Sequence, residues 1–251
     1  MTAFKDRLAA GKPLFGLWQA LANNYTAEIC ARAGFDWLMF DGEHAPNTAQ
    51  TLLAQLQATA PFPIDAIARV PLADPVAIKQ YLDIGFTTLL IPMLDSAQQA
   101  RDAVAASRYP PVGIRGVASA TARATGFGAD PAYLRELDSR LTLIVQIESR
   151  AALEDIDAIA AVDGVDALFI GPADLSASLG HLGNPGHPEV QAAITHARER
   201  IAAAGKPAGI FGLSPEDAQR RVEEGFAFIS IGTDIGLLTK GAATLLASVA
   251  R

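Results

Sequence analysis

The 251-residue chain has one cysteine, Cys30, so it can form no internal disulfide and offers no thiolate cluster for a metal. Such sparing use of cysteine points to a reducing cytoplasm. Basic residues are also few: 20 lysines and arginines stand against 27 aspartates and glutamates, a formal charge of -7 with an isoelectric point near 5.1. With no basic excess to displace counterions from phosphates, a nucleic-acid partner is not expected. Long apolar runs are missing too. The opening run MTAFKDRLAAGKPLFG is charged and broken by Gly11 and Pro13, and later apolar runs meet Gly, Pro or charge too soon to span a bilayer. Neither a signal peptide nor a membrane partner is expected. The lysines Lys5, Lys12, Lys79, Lys206 and Lys240 fall at the N-terminus, on expected helices or before a strand, so a Schiff-base lysine is disfavoured. No glycine-rich turn follows the first strand, where NNYTAEI stands, and a nucleotide cofactor is not expected. Beyond short turns near Gly212 and Gly232 there is no phosphate cradle.

What the chain does have is apolar mass, 50% hydrophobic residues, in a length that suits either two ordinary domains or one α/β barrel. Periodicity decides between them. Eight apolar runs start at Leu14, Trp37, Asp65, Thr87, Leu141, Ala167, Pro207 and Phe226, each followed by a segment of helical period. Expected helix entries carry Asn47, Asp74, Ser96, Asp130 before Pro131, and Ser214 before Pro215. Three exits repeat one signal, AGFDWLMF, IGFTTLLI and EGFAFISI, with Gly34, Gly85 and Gly225 suited to a left-handed turn. Strands apolar throughout imply a parallel sheet covered on both faces. The expectation is a (β/α)8 TIM barrel, one domain over residues 1–251, with an open doubly wound sheet as the alternative. One long connection, Pro110 to Gly128, is expected to be functional or interfacial.

In such a barrel, function gathers where strands end in loops. Those ends read Trp18-Gln19, Asp41-Gly42-Glu43-His44, Arg69, Gln146-Ile147-Glu148, Gly171-Pro172-Ala173-Asp174 and Thr233-Asp234. Glu148 and Asp174, on neighbouring strand ends, can give two anionic oxygens to one hard divalent cation, leaving positions open for a chelating 2-keto acid. Both can instead cap the helices that follow, although Ser149 is the more conventional cap beside Glu148. Arg69 either pairs a structural carboxylate or steadies an oxyanion. His44, among Asp41 and Glu43, is an acid/base candidate or a histidine bonded to backbone. Trp18 and Leu213 are pocket walls or core. His181, His187 and His196 read as solvated surface.

The runs GLWQ, AGFDWLMFDGEHAPN, ARVP, LLIPM, YPPVGIRGV, VQIES and FIGPADLSASLG together resemble the HpcH/HpaI aldolase family, the metal-dependent class II pyruvate aldolases, along essentially the whole chain. The resemblance implies a barrel that uses Mg2+, Mn2+ or Co2+ to join pyruvate reversibly to an aldehyde, and a place in aromatic-compound catabolism. It implies Glu148 and Asp174 as metal ligands, His44 as acid/base and Arg69 as enolate stabiliser. Gln146 and the backbone around Ala173 and Asp174 match pyruvate-binding positions. Asp83 matches an aspartate that raises the histidine's basicity, although the residue itself reads as the end of the third helix. A hexamer with exchanged C-terminal helices is implied too, with the loop holding Arg115 and Arg123 lining a neighbour's site. The reaction expected is retro-aldol cleavage of a 4-hydroxy-2-keto acid to pyruvate and an aldehyde. Oxaloacetate decarboxylation, which passes through the same enolate, is the expected side activity. A 2-keto-3-deoxy sugar-acid aldolase and a barrel that only binds a keto acid are the alternatives.

Overall fold

Runs rich in β-branched and aromatic residues, each closed by a turn, become the strands of the computed structural model, which describes residues 2–249. They are β1 (Leu14–Gln19), β2 (Trp37–Asp41), β3 (Asp65–Arg69), β4 (Thr88–Ile91), β5 (Thr142–Ile147), β6 (Ala167–Ile170), β7 (Ala208–Phe211) and β8 (Phe228–Thr233). All neighbours pair in parallel and β8 returns to β1, closing the expected barrel. Residues 1, 250 and 251 of the expected domain lie outside the described residues.

Side-chain alternation divides the strands between two cores. Outward residues such as Leu17, Phe40, Leu89, Val145 and Ile210 join the layer under the helices. Inward residues, Leu14, Trp18, Trp37, Met39, Ile67, Leu90, Ile144, Phe169 and Phe228, fill the barrel. Gly16 is required by that filling, because a Cβ there would stand 2.0 Å from the Trp37 ring. Inward parity also carries Asp41, Arg69 and Gln146 to the C-terminal mouth of the barrel.

An element the sequence reading did not anticipate closes the other end. Phe4 and Leu8 of α1 (Phe4–Ala9) are buried in the barrel's inner cluster, and the Phe4 ring meets Phe228 edge-on at 5.7 Å. The charged residues of this run mask a two-residue apolar face. The helices around the barrel are α2 (Asn24–Ala31), α3 (Ala49–Thr59), α4 (Pro75–Asp83), α5 (Ala97–Ser107), α6 (Tyr133–Arg140), α7 (Arg150–Glu154), α8 (Ile156–Ala160), α9 (Pro172–Ser178), α10 (Pro188–Ala203), α11 (Pro215–Glu223) and α12 (Asp234–Ala247). None among the described residues is long and apolar enough to cross a membrane.

Asp74, Ser96 and Ser214 cap as expected, and Gly34, Gly85 and Gly225 take φ of +92, +109 and +91°. Asn47 does not cap α3. Thr48 does, in a reciprocal capping box with Thr51, while Asn47 Nδ2 donates to Asp41 O at 2.7 Å and its Oδ1 accepts from Gln55. Asp130 stands two residues ahead of the cap position of α6 and accepts from the Ala132 and Tyr133 amides. The connection from Pro110 to Gly128 joins α5 to α6, on the way to β5, and therefore lies at the barrel's N-terminal end, away from the mouth of its own chain. Its Val112, Ile114, Val117 and Phe127 are exposed, as are Ile235, Leu237, Leu238, Leu245 and Leu246 of α12.

Candidate active site

The strand register builds the centre of the mouth. β2 and β3 pair so that Asp41 sits directly across from Arg69. The Arg69 guanidinium meets Asp41 in two parallel bonds, Nε at 2.9 Å and Nη2 at 2.6 Å, and its Nη1 lies 2.8 Å from Glu43 Oε2. Arg69 therefore pairs carboxylates on both of its edges, Asp41 on one and Glu43 on the other. Asp41 accepts besides from Trp18 Nε1 (3.1 Å) and from the Glu43 and His44 amides. Those bonds and the Arg69 charge hold its carboxyl below the usual range despite burial.

Trp18 is buried in the barrel's inner cluster, the core placement of its two readings. Arg69 lies over its ring at 5.0 Å, and Phe169 and Phe211 pack beside it at 5.7 and 5.5 Å. Leu213, by contrast, is 48% exposed on the loop after β7. The His44 side chain is 65% exposed, with Nε2 3.9 Å from Glu43 Oε2.

Across the mouth, Glu148 leaves the end of β5 and is only 3% exposed. Its Oε1 accepts the Met93 amide at 2.8 Å, and its Oε2 is bonded by Gln146 Nε2. Met93 reaches that pose at φ 54°, a left-handed backbone that costs a residue with a Cβ about 1–2 kcal/mol. Gln146 Oε1 is a buried acceptor with no partner. Gly171 leaves this corner open, since a Cβ there would come within 2.7 Å of Glu148 Oε2 and 2.8 Å of Gln146 Nε2. Ala173 and Asp174 follow in the exposed first turn of α9, which opens without a side-chain cap. The expectation that Asp174 caps that helix therefore fails, and Ser149 rather than Glu148 caps α7.

Burial, then the neighbouring Asp174 and Glu43 charges against the Met93 bond, push the Glu148 carboxyl up to about 7. Burial likewise raises Glu43. Four carboxylates around one guanidinium form a site short of positive charge, and its donors are oxygens. A hard divalent cation fits both conditions.

Asp83 is not brought to this site. It ends α4 at the opposite end of the barrel and accepts from Arg115 Nη2 at 2.6 Å, with Arg115 buried against Tyr109 and Tyr133. No contact joins it to His44 in the chain. The residues that sequence reading left unassigned are Asp41 and Glu43, which organise Arg69. Both stand in the run Asp41-Gly42-Glu43-His44, but the register that gives them their partner is not written in it.

Residues 14–241 match the family model described as HpcH/HpaI aldolase/citrate lyase. A protein of Salmonella arizonae named 4-hydroxy-2-oxo-heptane-1,7-dioate aldolase is 55% identical, over 98% of this chain and 93% of its own length. Among solved structures, an HpcH/HpaI aldolase/citrate lyase family protein from Burkholderia cenocepacia J2315 superposes with a TM-score of 0.95 at 38% identity, covering 98% of each chain. An HpcH/HpaI aldolase from Desulfitobacterium hafniense DCB-2 gives 0.90 at 30% identity, over 99% of this chain and 96% of its own. The chain belongs to the HpcH/HpaI aldolase/citrate lyase family and is an enzyme of its aldolase branch.

Proposed function

We propose that this member of the family cleaves 4-hydroxy-2-keto acids to pyruvate and an aldehyde, reversibly and with a divalent cation, Mg2+, Mn2+ or Co2+. For the seven-carbon dioate in the relative's name, breaking C3–C4 would leave a four-carbon semialdehyde beside pyruvate. The observation that carries the reading is Glu148, buried and proton-hungry beside two further acids at a mouth that also holds an arginine. Glu148 and Asp174 would hold the cation, which supplies Lewis acidity to the keto oxygen of the substrate. The remaining work falls to the protein. Gln146 and the uncapped first-turn amides at Ala173 and Asp174 orient the pyruvyl end. His44 Nε2, on an exposed side chain beside Glu43, takes the C4 hydroxyl proton directly or through one water. As C3–C4 breaks, its electron pair becomes the enolate, and Arg69 neutralises the developing oxyanion through Nη1, which it shares with Glu43, while Asp41 fixes the opposite edge. A proton delivered to C3 yields pyruvate. Trp18 supports Arg69 from below, and Leu213 borders the space the aldehyde leaves through. Oxaloacetate decarboxylation would pass through the same enolate.

Pyruvate and each of a panel of aldehydes differing in length and charge, with and without a chelator, test the scheme. Aldol product should form with metal and stop in chelator. Arg69→Ala should lower cleavage by at least about 100-fold, together with pyruvate C3 proton exchange. Full activity in chelator overturns the reading, and product only with sugar-derived aldehydes would favour the 2-keto-3-deoxy sugar-acid reading.

The same proposal includes a homo-oligomer, a hexamer with exchanged C-terminal helices by the family resemblance. Among its residues, α12 buries only Asp234, which anchors it by accepting from the Ala20 and Leu21 amides at 2.9 and 3.0 Å. A role for Asp83 and the Arg115 loop at an active site requires a second copy, since both lie at the far end of their own barrel.

A further inference from the structure

Outside the mouth, two histidines and a glutamate meet where α9 gives way to α10. His181 follows α9, with its amide donating to Ser176 O at 2.7 Å. His187 caps α10, its Nδ1 accepting the Glu189 amide at 3.2 Å. His181 Nε2 lies 2.8 Å from Glu189 Oε2, and the two imidazoles stack with centroids 3.6 Å apart and planes 17° from parallel. This corrects the expectation of solvated histidines: His181 and His187 are half-buried and face each other, and His196 alone of the three is exposed. One ligand atom from each of His181, His187 and Glu189 lies within 4.8 Å of the others.

We propose that His181, His187 and Glu189 form a second metal site, built for a borderline transition ion such as Zn2+. Two imidazoles and one carboxylate are a nitrogen-rich set that prefers Zn2+, Ni2+ or Cu2+, whereas the oxygens of Glu148 and Asp174 suit a hard ion. Tetrahedral bonds of about 2.0–2.1 Å put ligand atoms about 3.4 Å apart, so the three groups must close by about 1.4 Å at most. The rings sit on the Gly/Pro-rich loop LGHLGNPGHPE, and turning their side chains supplies that movement. Zn2+ replaces the proton shared between His181 Nε2 and Glu189 Oε2, which leaves to solvent. His187 gives up the long Glu189 amide bond if Nδ1 ligates. A water completes the fourth position. The ion thereby staples the end of α9, whose first turn carries Asp174, to the start of α10.

The test uses the full chain carrying Glu148→Gln, so that the mouth does not compete, with Zn2+ titrated against a chromophoric chelator in excess Mg2+. One Zn2+ should bind, and His187→Asn or Glu189→Gln should each weaken it at least about tenfold. His187→Asn keeps a capping acceptor and Glu189→Gln keeps a partner for His181, so both retain α10, as circular dichroism would verify. With Cu2+ as the probe, electron paramagnetic resonance should show two imidazole nitrogens, falling to one in His187→Asn. No Zn2+ bound, equal affinity in the parent and both variants, or a Cu2+ spectrum without imidazole nitrogen overturns the proposal.

Discussion

Glu148 couples the site to the stability of the molecule. A carboxyl that titrates near 7 in the folded chain and near 4.5 when unfolded binds its proton more tightly in the native state. Its contribution is therefore neutral below about pH 4.5, and stability falls as pH rises to about 7, by about 3 kcal/mol in metal-free protein. Urea denaturation across that window should show the decline, and it should be flattened by Glu148→Gln or by saturating Mg2+; an unchanged slope in the variant would refute the assignment. Much of this chemistry is legible at residue scale, because the strand ends expose Asp41, His44, Arg69, Glu148 and Asp174 as a set. What the residues cannot announce is partnership. Arg69 serves Asp41 because two strands pair in one register and not another, and Met93 serves Glu148 because a left-handed turn aims its amide inward. Both depend on contacts 28 and 55 residues apart in sequence.

Elements were more readable than their boundaries. All eight strands stand where apolar runs bounded by turns place them, because a strand covered on both faces needs nothing but a short apolar run. α1 escaped because six residues with only Phe4 and Leu8 buried leave almost no periodic signal. Its importance is tertiary: it plugs the end of the barrel opposite the mouth. Phe4→Ala should cost about 3–5 kcal/mol and lower the melting temperature by roughly 10 °C. Scanning calorimetry would measure the loss, while kcat at 25 °C should stay near wild type because the ring is remote from Arg69 and Glu148. A normal melting temperature would mean that α1 is a decoration. Asn47 shows the related weakness of reading caps singly, since adjacent Asn47 and Thr48 both suit the position and only packing against Asp41 and Gln55 separates their roles.

At the scale of the whole molecule, exposed apolar side chains gather on α12 and on the long connection before β5, among other places in the described residues. Light scattering of the full chain should give a multiple of the 26.3 kDa chain mass, and a chain ending after residue 236 should lose part of that assembly. A monomeric mass for the full chain would remove the oligomer and, with it, any active-site role for Asp83. Ligand entry can be followed without any label, because the chain has two tryptophans in different surroundings. Trp37 is sealed inside the barrel, bonded to Leu14 O and packed on Phe228, and should contribute a constant background. Trp18 lies under Arg69 and donates to Asp41, so a keto acid that draws the guanidinium toward itself should change the emission of that indole alone. The protein would report its own occupancy as a change in ultraviolet fluorescence, one that Trp18→Phe should silence.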